Sequence, residues 1–231
     1  MTEAEPPSDS VEPQAEREPQ PPVRRTLLGL AIGLAAPFFG VVIAFTLRAA
    51  GTLESQGVRI LLVIGWDWVI AIAVVMFVLR VEKRPLSSIG FRWPRWTYIA
   101  TTPLWWFLGA VMTAALVIPL RDHLDTGPAE AITALPLVAR IAIVFTAPIT
   151  EEIFFRGYVV ERVGELTRRL WVAGVLSTLV FAALHIPYYG VLPGLVRIPL
   201  SALLTIRYIR SRSLGPPIAL HFLIDLPLAF A

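Results

Sequence analysis

The chain contains no cysteine. That excludes disulfides, thiolate metal sites and a cysteine nucleophile outright. Charge is also scarce: 16% of the 231 residues are Asp, Glu, Lys or Arg, where a soluble domain carries about a quarter. Histidine occurs only three times. No Gly-x-Ser-x-Gly motif is present, which makes covalent serine catalysis the weaker option. No internal repeat is visible, and this counts against a secondary transporter, whose halves often echo each other. Alternating short strands are absent, so a membrane barrel is excluded. The net charge of +3 is modest, and nothing suggests nucleic-acid binding.

What is present is oil, 56% hydrophobic residues, gathered into blocks. Seven can be marked, at roughly Thr26–Leu47, Ile60–Leu79, Tyr98–Leu120, Leu135–Tyr158, Leu170–Pro187, Val191–Tyr208 and Leu214–Ala231. Each approaches the ~20 residues needed to cross about 30 Å of hydrocarbon. In lipid the backbone finds no water to bond, so such blocks become helices. The expected fold is therefore all-α: a polytopic membrane bundle of about seven transmembrane helices. With the N-terminus cytoplasmic, only Arg48, Arg59 and Arg121 fall outside and Arg140, Arg156 and Arg197 within spans. All other basic residues lie inside, as the positive-inside rule requires. The protein is thus read as a multi-pass cell-membrane protein, of bacterial type by its short chain and missing targeting signals.

Residues 1–25 differ in kind. Prolines and acids such as Glu3, Glu5, Asp9 and Glu12 leave little to bury, and the segment is expected to be a disordered cytoplasmic tail. It is not a secretory signal, because the apolar run after Arg24-Arg25 is too long and no small-residue cleavage site follows. The transmembrane domain then occupies 26–231. Within it, the turn Ser87-Ser88-Ile89-Gly90-Phe91 reads as an interfacial loop at headgroup level. Val159–Arg169 reads as an amphipathic extension of the fourth helix. Asp67 is expected to hydrogen-bond near the outer interface, with lining the cavity as the alternative; Arg140 and Arg197 are expected to snorkel outward, with contact to a substrate carboxylate as theirs. His123, beside Asp122 and Asp125, is a solvated loop residue.

Ionisable groups at membrane depth are costly and mark function. Here they cluster. Glu151 and Glu152 interrupt an apolar stretch, with Arg156 following; His185 ends another; His221 and Asp225 lie on a third. Positions 152 and 156 are one helical turn apart and form a local pair, while Glu151, rotated by about 100°, stays free of it. If Pro148 and Thr150 instead break the helix, both glutamates merely decorate an interfacial first turn, favoured by its dipole. His221 and Asp225, four apart, share a face. Two chemistries are open to a carboxylate and two imidazoles. Glu151, His185 and His221 can hold a divalent metal such as zinc with a water in the open position. Alternatively Glu151 acts as general base on the water directly, with the imidazoles orienting it and stabilising the oxyanion. Depth counts make convergence demanding: Glu151 lies about 15 Å along its helix from Arg162, His185 about 24 Å from Arg169. Meeting requires tilt or a fifth span that starts deeper.

The ordered set Glu-Glu-x-x-x-Arg (Glu151, Glu152, Arg156), Phe-x-x-x-His (Phe181, His185) and His-x-x-x-Asp (His221, Asp225) resembles the CPBP intramembrane proteases. That family holds the CAAX prenyl endopeptidases and bacterial proteins linked to bacteriocin processing or self-immunity. The resemblance runs from about Leu135 to the C-terminus, the family-like catalytic core (135–231), and takes in the Ser87–Phe91 turn. It implies cleavage of a membrane-associated peptide or protein at or in the bilayer. Glu151 and His185 would be catalytic, and Glu152, Arg156, His221 and Asp225 supporting or ligand positions, with or without a metal. Asp225 departs from the asparagine of eukaryotic CAAX enzymes, since an ionised aspartate cannot donate to an oxyanion. A catalytically silent scaffold or self-immunity partner is the alternative reading; a proton or ion carrier is a third.

Overall fold

The structure is a computed structural model that describes residues 23–49, 51, 56–124 and 126–230. The expected tail over 1–25 lies almost wholly outside them. Among the described residues every regular element is helical. The principal helices are α1 (Val23–Ala49), α2 (Gln56–Met76), α3 (Thr102–Leu120), α4 (Leu137–Glu151), α5 (Glu161–Thr167), α6 (Leu170–Tyr189), α7 (Val191–Ser211) and α8 (Gly215–Asp225). Short pieces at Trp96–Ala100, Gly127–Thr133 and Pro227–Phe230 join or extend them.

Each of the seven apolar blocks contains helix, and among the described residues four helices are long and apolar enough to cross a membrane: Leu62–Val81, Trp96–His123, Leu170–Tyr189 and Val191–Ser211. The last block yields a shorter apolar helix, Gly215–Phe230, interrupted after Asp225. Pro216 and Pro217 at its start are well placed, since the first turn has no partner for their missing N–H groups.

Residues 137–167 form one continuous rod. Pro148 does not break it. The ring removes one backbone hydrogen bond, and Thr150 donates its hydroxyl to the Thr146 carbonyl at 2.8 Å. The rod then widens into a nine-residue π-helix, Glu152–Val160, before returning to α-geometry in α5. Such wide turns are rare and gather at functional sites. Every side chain of that stretch is buried, so it forms the axis of the molecule. Phe155 and Phe181 pack edge to face at 5.1 Å, and Ser177 donates to the Phe155 carbonyl at 3.0 Å.

α6 and α7 form an antiparallel hairpin across Gly190, whose φ of +89° is open to glycine but strained for an L side chain. α7 also packs on α3, and α8 lies against α3, α4 and α7. The Trp106 indole donates to the Leu223 carbonyl at 2.8 Å, tying α3 to α8.

At one end of the rod, charges that the sequence suggests should be solvated are buried. Arg162 is 0% exposed and grips Glu82 through Nε and Nη2, at 2.6 Å for the latter. It also donates to the Ser88 hydroxyl at 3.1 Å. Glu161 accepts from Tyr208 and from Arg212, both at 2.6 Å. The 86–90 turn is consequently not a loose interfacial loop. Ile89 is 0% exposed and the Leu214 amide donates to the Gly90 carbonyl at 2.9 Å. Trp93 and Trp96, by contrast, stand exposed.

Gly157 permits this closure. A Cβ there would come within 2.7 Å of the Ile89 carbonyl oxygen, a backbone atom that cannot step aside. Gly157→Ala is expected to destabilise by about 1–3 kcal/mol through overpacking. Thermal unfolding in detergent, together with protease sensitivity of the 82–92 segment, measures it.

Candidate active site

Three parts of the fold bring the polar residues together. The end of α4 and the π-helix carry Glu151, Glu152 and Arg156. α8 carries His221 and Asp225. α7 supplies Ser201 and Thr205 from behind.

Glu152 and Arg156 are both 0% exposed and form the expected one-turn pair, with Nη1 donating to Glu152 Oε1 at 2.8 Å. The guanidinium is held by more than its glutamate. Nη2 donates to the Ser201 hydroxyl at 2.8 Å and the Ser201 carbonyl at 3.1 Å, Nε reaches Thr205 Oγ1 at 3.4 Å, and its face covers the Phe181 ring at 4.7 Å. Ser201 and Thr205 were missed in the sequence reading. The signal was there: two small hydroxyls one turn apart on one face of a membrane-length helix.

His221 Nδ1 meets the same Glu152 Oε1 at 2.9 Å. An N–H must donate to a carboxylate, so this bond fixes the ring. Its other nitrogen, Nε2, is thereby aimed at Asp225 Oδ2, 3.5 Å away, and Glu151 Oε2, 3.9 Å away. Glu152 is thus committed twice over, while Glu151 retains a partly exposed carboxylate that makes no close bond to Arg156. The expected division between the two glutamates is the observed one.

His185 sits beside this group and not within it. Its Nδ1 donates to the Phe181 carbonyl at 2.7 Å, which leaves Nε2 as the lone-pair nitrogen of the neutral ring. Phe181 links it to the rest: its ring lies 4.4 Å from His185 and 6.3 Å from His221. Neutral His185 therefore has no N–H left to offer an oxyanion, and its use is to accept.

Two outlying charges acquire neighbours. α2, which carries Asp67, packs on α4. Arg197 reaches back toward the start of its own helix. Its guanidinium lies on the Tyr189 ring at 3.9 Å, with Nη1 donating to the Pro193 carbonyl at 2.9 Å.

Among the described residues no three His, Asp or Glu side chains gather closely enough to hold an ion. His221 and His185 each donate Nδ1–H, to Glu152 and to the Phe181 carbonyl respectively, an arrangement that leaves Nε2 as the ligating nitrogen. What the arrangement lacks, among the described residues, is a third donor close enough to complete an ion site.

An apolar groove of about 490 Å³ opens beside the cluster, lined by Thr102 and Pro103 of α3, Phe145, Pro148 and Ile149 of α4, and Ile218 and Phe222 of α8. Its lining is apolar apart from Thr102, and Pro148 and Ile149 on its wall precede Glu151 on the same helix by less than one turn.

No curated protein and no solved structure matches the chain. Residues 133–227 match the family model described as type II CAAX prenyl endopeptidase Rce1-like, a span that holds all six clustered residues but not the Ser87–Phe91 turn. That segment, under half of the chain, is similar to the CAAX prenyl endopeptidase family, in agreement with the motif order.

Proposed function

We propose that this protein is an intramembrane endopeptidase in which Glu151 activates a water to cleave a membrane-associated peptide or protein. The observation that carries the reading is the asymmetry of the glutamate pair. Glu152 is locked by Arg156 and His221, and Glu151 beside it is held by neither. A base must be free to take a proton, and only one of the two is.

The water gives a proton to Glu151 while its oxygen attacks the scissile carbonyl carbon. His185 Nε2 accepts the water's second hydrogen and so orients the attack. The C–N bond then breaks, and the proton held on Glu151 passes to the leaving amine. The products are a carboxylic acid and an amine, with every atom of the water accounted for. Arg156 and His221 act through Glu152, fixing the helix end that carries Glu151. Asp225 sits against His221 Nε2 and steadies the ring. No step is routed through a metal. The groove between α3, α4 and α8 admits an apolar chain, so a peptide bearing a lipid or a hydrophobic segment is the substrate class we assign. The seven-span arrangement with a cytoplasmic N-terminus, in a bacterial cell membrane, belongs to the same proposal.

The test uses the full chain in lipid nanodiscs with lipidated and transmembrane reporter peptides, with product masses read directly. Wild type is expected to cleave and His185→Ala to fall by about 10²-fold or more, the range for losing a positioned acid–base group. EDTA is expected to leave the rate unchanged. Loss to EDTA with recovery on zinc would replace the metal-free step with an ion-assisted one. Full cleavage by His185→Ala would remove His185 from the reaction. Partner binding without cleavage by wild type would favour the scaffold.

A further inference from the structure

We propose that Arg197 is a positioning residue for His185, acting through the ring of Tyr189. The proposal rests on the reading above that His185 Nε2 takes part in the reaction.

Phe181, His185 and Tyr189 are spaced by four residues on α6 and therefore stack on one face. The imidazole lies 4.4 Å from the Phe181 ring at 34° and 5.8 Å from the Tyr189 ring at 21°. It is enclosed between two aromatic planes, with Nδ1 bonded to the Phe181 carbonyl. A guanidinium closes each end of the column. Arg156 covers Phe181 at 4.7 Å and Arg197 covers Tyr189 at 3.9 Å. Arg156 is explained by Glu152. Arg197 makes no salt bridge among the described residues, and a long cationic chain near a helix end would ordinarily reach for water. It is tethered to the Pro193 carbonyl, with its Cζ 3.9 Å from the Tyr189 ring centroid, a contact that strengthens as water is excluded from the cation.

The backbone makes this contact unavoidable. α6 ends at Tyr189, Gly190 reverses the chain, and α7 begins at Val191. Arg197, two turns along α7, returns opposite the last turn of α6. The guanidinium holds the Tyr189 ring, the ring holds the imidazole plane, and the plane directs Nε2. Without the clamp the imidazole has freedom to rotate about its Cβ–Cγ bond and to exchange tautomers, and the lone pair loses its fixed direction.

Arg197→Gln is expected to lower kcat by about 10–100-fold, as small misplacements of a reacting group do. KM should stay within about twofold, because the ground-state groove is untouched. Tyr189→Leu should reproduce it, Tyr189→Phe should be milder, and Arg197→Lys should recover part of the loss. The second readout needs no substrate. In ¹⁵N-histidine NMR of the full chain, assigned with His185→Asn, wild type should show His185 as a single Nδ1–H tautomer. Arg197→Gln should show a tautomer mixture at an unchanged unfolding temperature. An unaltered His185 spectrum together with unaltered kcat in Arg197→Gln overturns the proposal. A wild-type spectrum already mixed overturns it too. If wild type cleaves no substrate, the peptidase reading fails, and the tautomer comparison alone then decides the clamp.

Discussion

Glu151→Gln is expected to reduce cleavage by about 10²–10⁴-fold, the range for removing a general base, with the unfolding temperature unmoved. The substitution keeps size and shape and removes only the capacity to take a proton. The structure explains why folding should not suffer. The ion-pair contact of Glu151 is with His221 Nε2 at 3.9 Å, too far for a hydrogen bond that stability depends on. The neighbouring change, Glu152→Gln, should behave in the opposite way. That oxygen accepts from both Arg156 and His221, so its loss should lower the unfolding temperature first and activity as a consequence. Comparing the two variants at equal folded fraction separates the base from its support. If Glu151→Gln cleaves at the wild-type rate, the water-activating role assigned to Glu151 is wrong.

Arg156→Met is expected to be the most damaging single change to stability, costing about 3–5 kcal/mol, as when one partner of a buried ion pair is removed. The reason lies in what is left behind. Glu152 is 0% exposed, and Ser201 and Thr205 on α7 would lose the donor they face. The Phe181 ring would lose its cation as well. The double variant Glu152→Gln/Arg156→Met should recover a part of the loss, because no uncompensated carboxylate then stays inside. Chemical unfolding of single and double variants in detergent reads the difference. A loss in Arg156→Met no larger than that of a surface arginine would show the guanidinium to be dispensable.

Much of this was legible along the chain because the relevant rules are local. Apolar blocks become helices for want of water. Pairs four apart meet on a helix, which found Glu152 with Arg156 and His221 with Asp225. The ordered polar motifs also located the matching family segment, 133–227. The illegible parts are those set by distant or collective contacts. Arg162 reads as a solvated charge on an amphipathic turn, because nothing nearby announces Glu82 on the far side of the bundle. Arg197 was placed on depth alone, and depth does not specify its contact with Tyr189 across the α6–α7 turn. The widened register of 152–160 leaves no compositional mark. It also bears on the convergence that straight-helix counting made difficult, since straight, evenly wound rods do not describe residues 137–167.

That wide stretch has a bearing on how such chains can change over time. A π-turn holds one residue more than the α-turn it replaces, and it lies between two polar hubs on a single rod. Losing one residue from 152–160 with the wide winding kept would rotate everything beyond it about the rod, and only reversion to an α-turn would absorb the loss. Glu151 and Glu152 would stay where they are, while Arg162 would part from Glu82 and Glu161 from Arg212. Insertions and deletions should therefore be purged from these nine positions more severely than point changes, even where no reacting atom is touched.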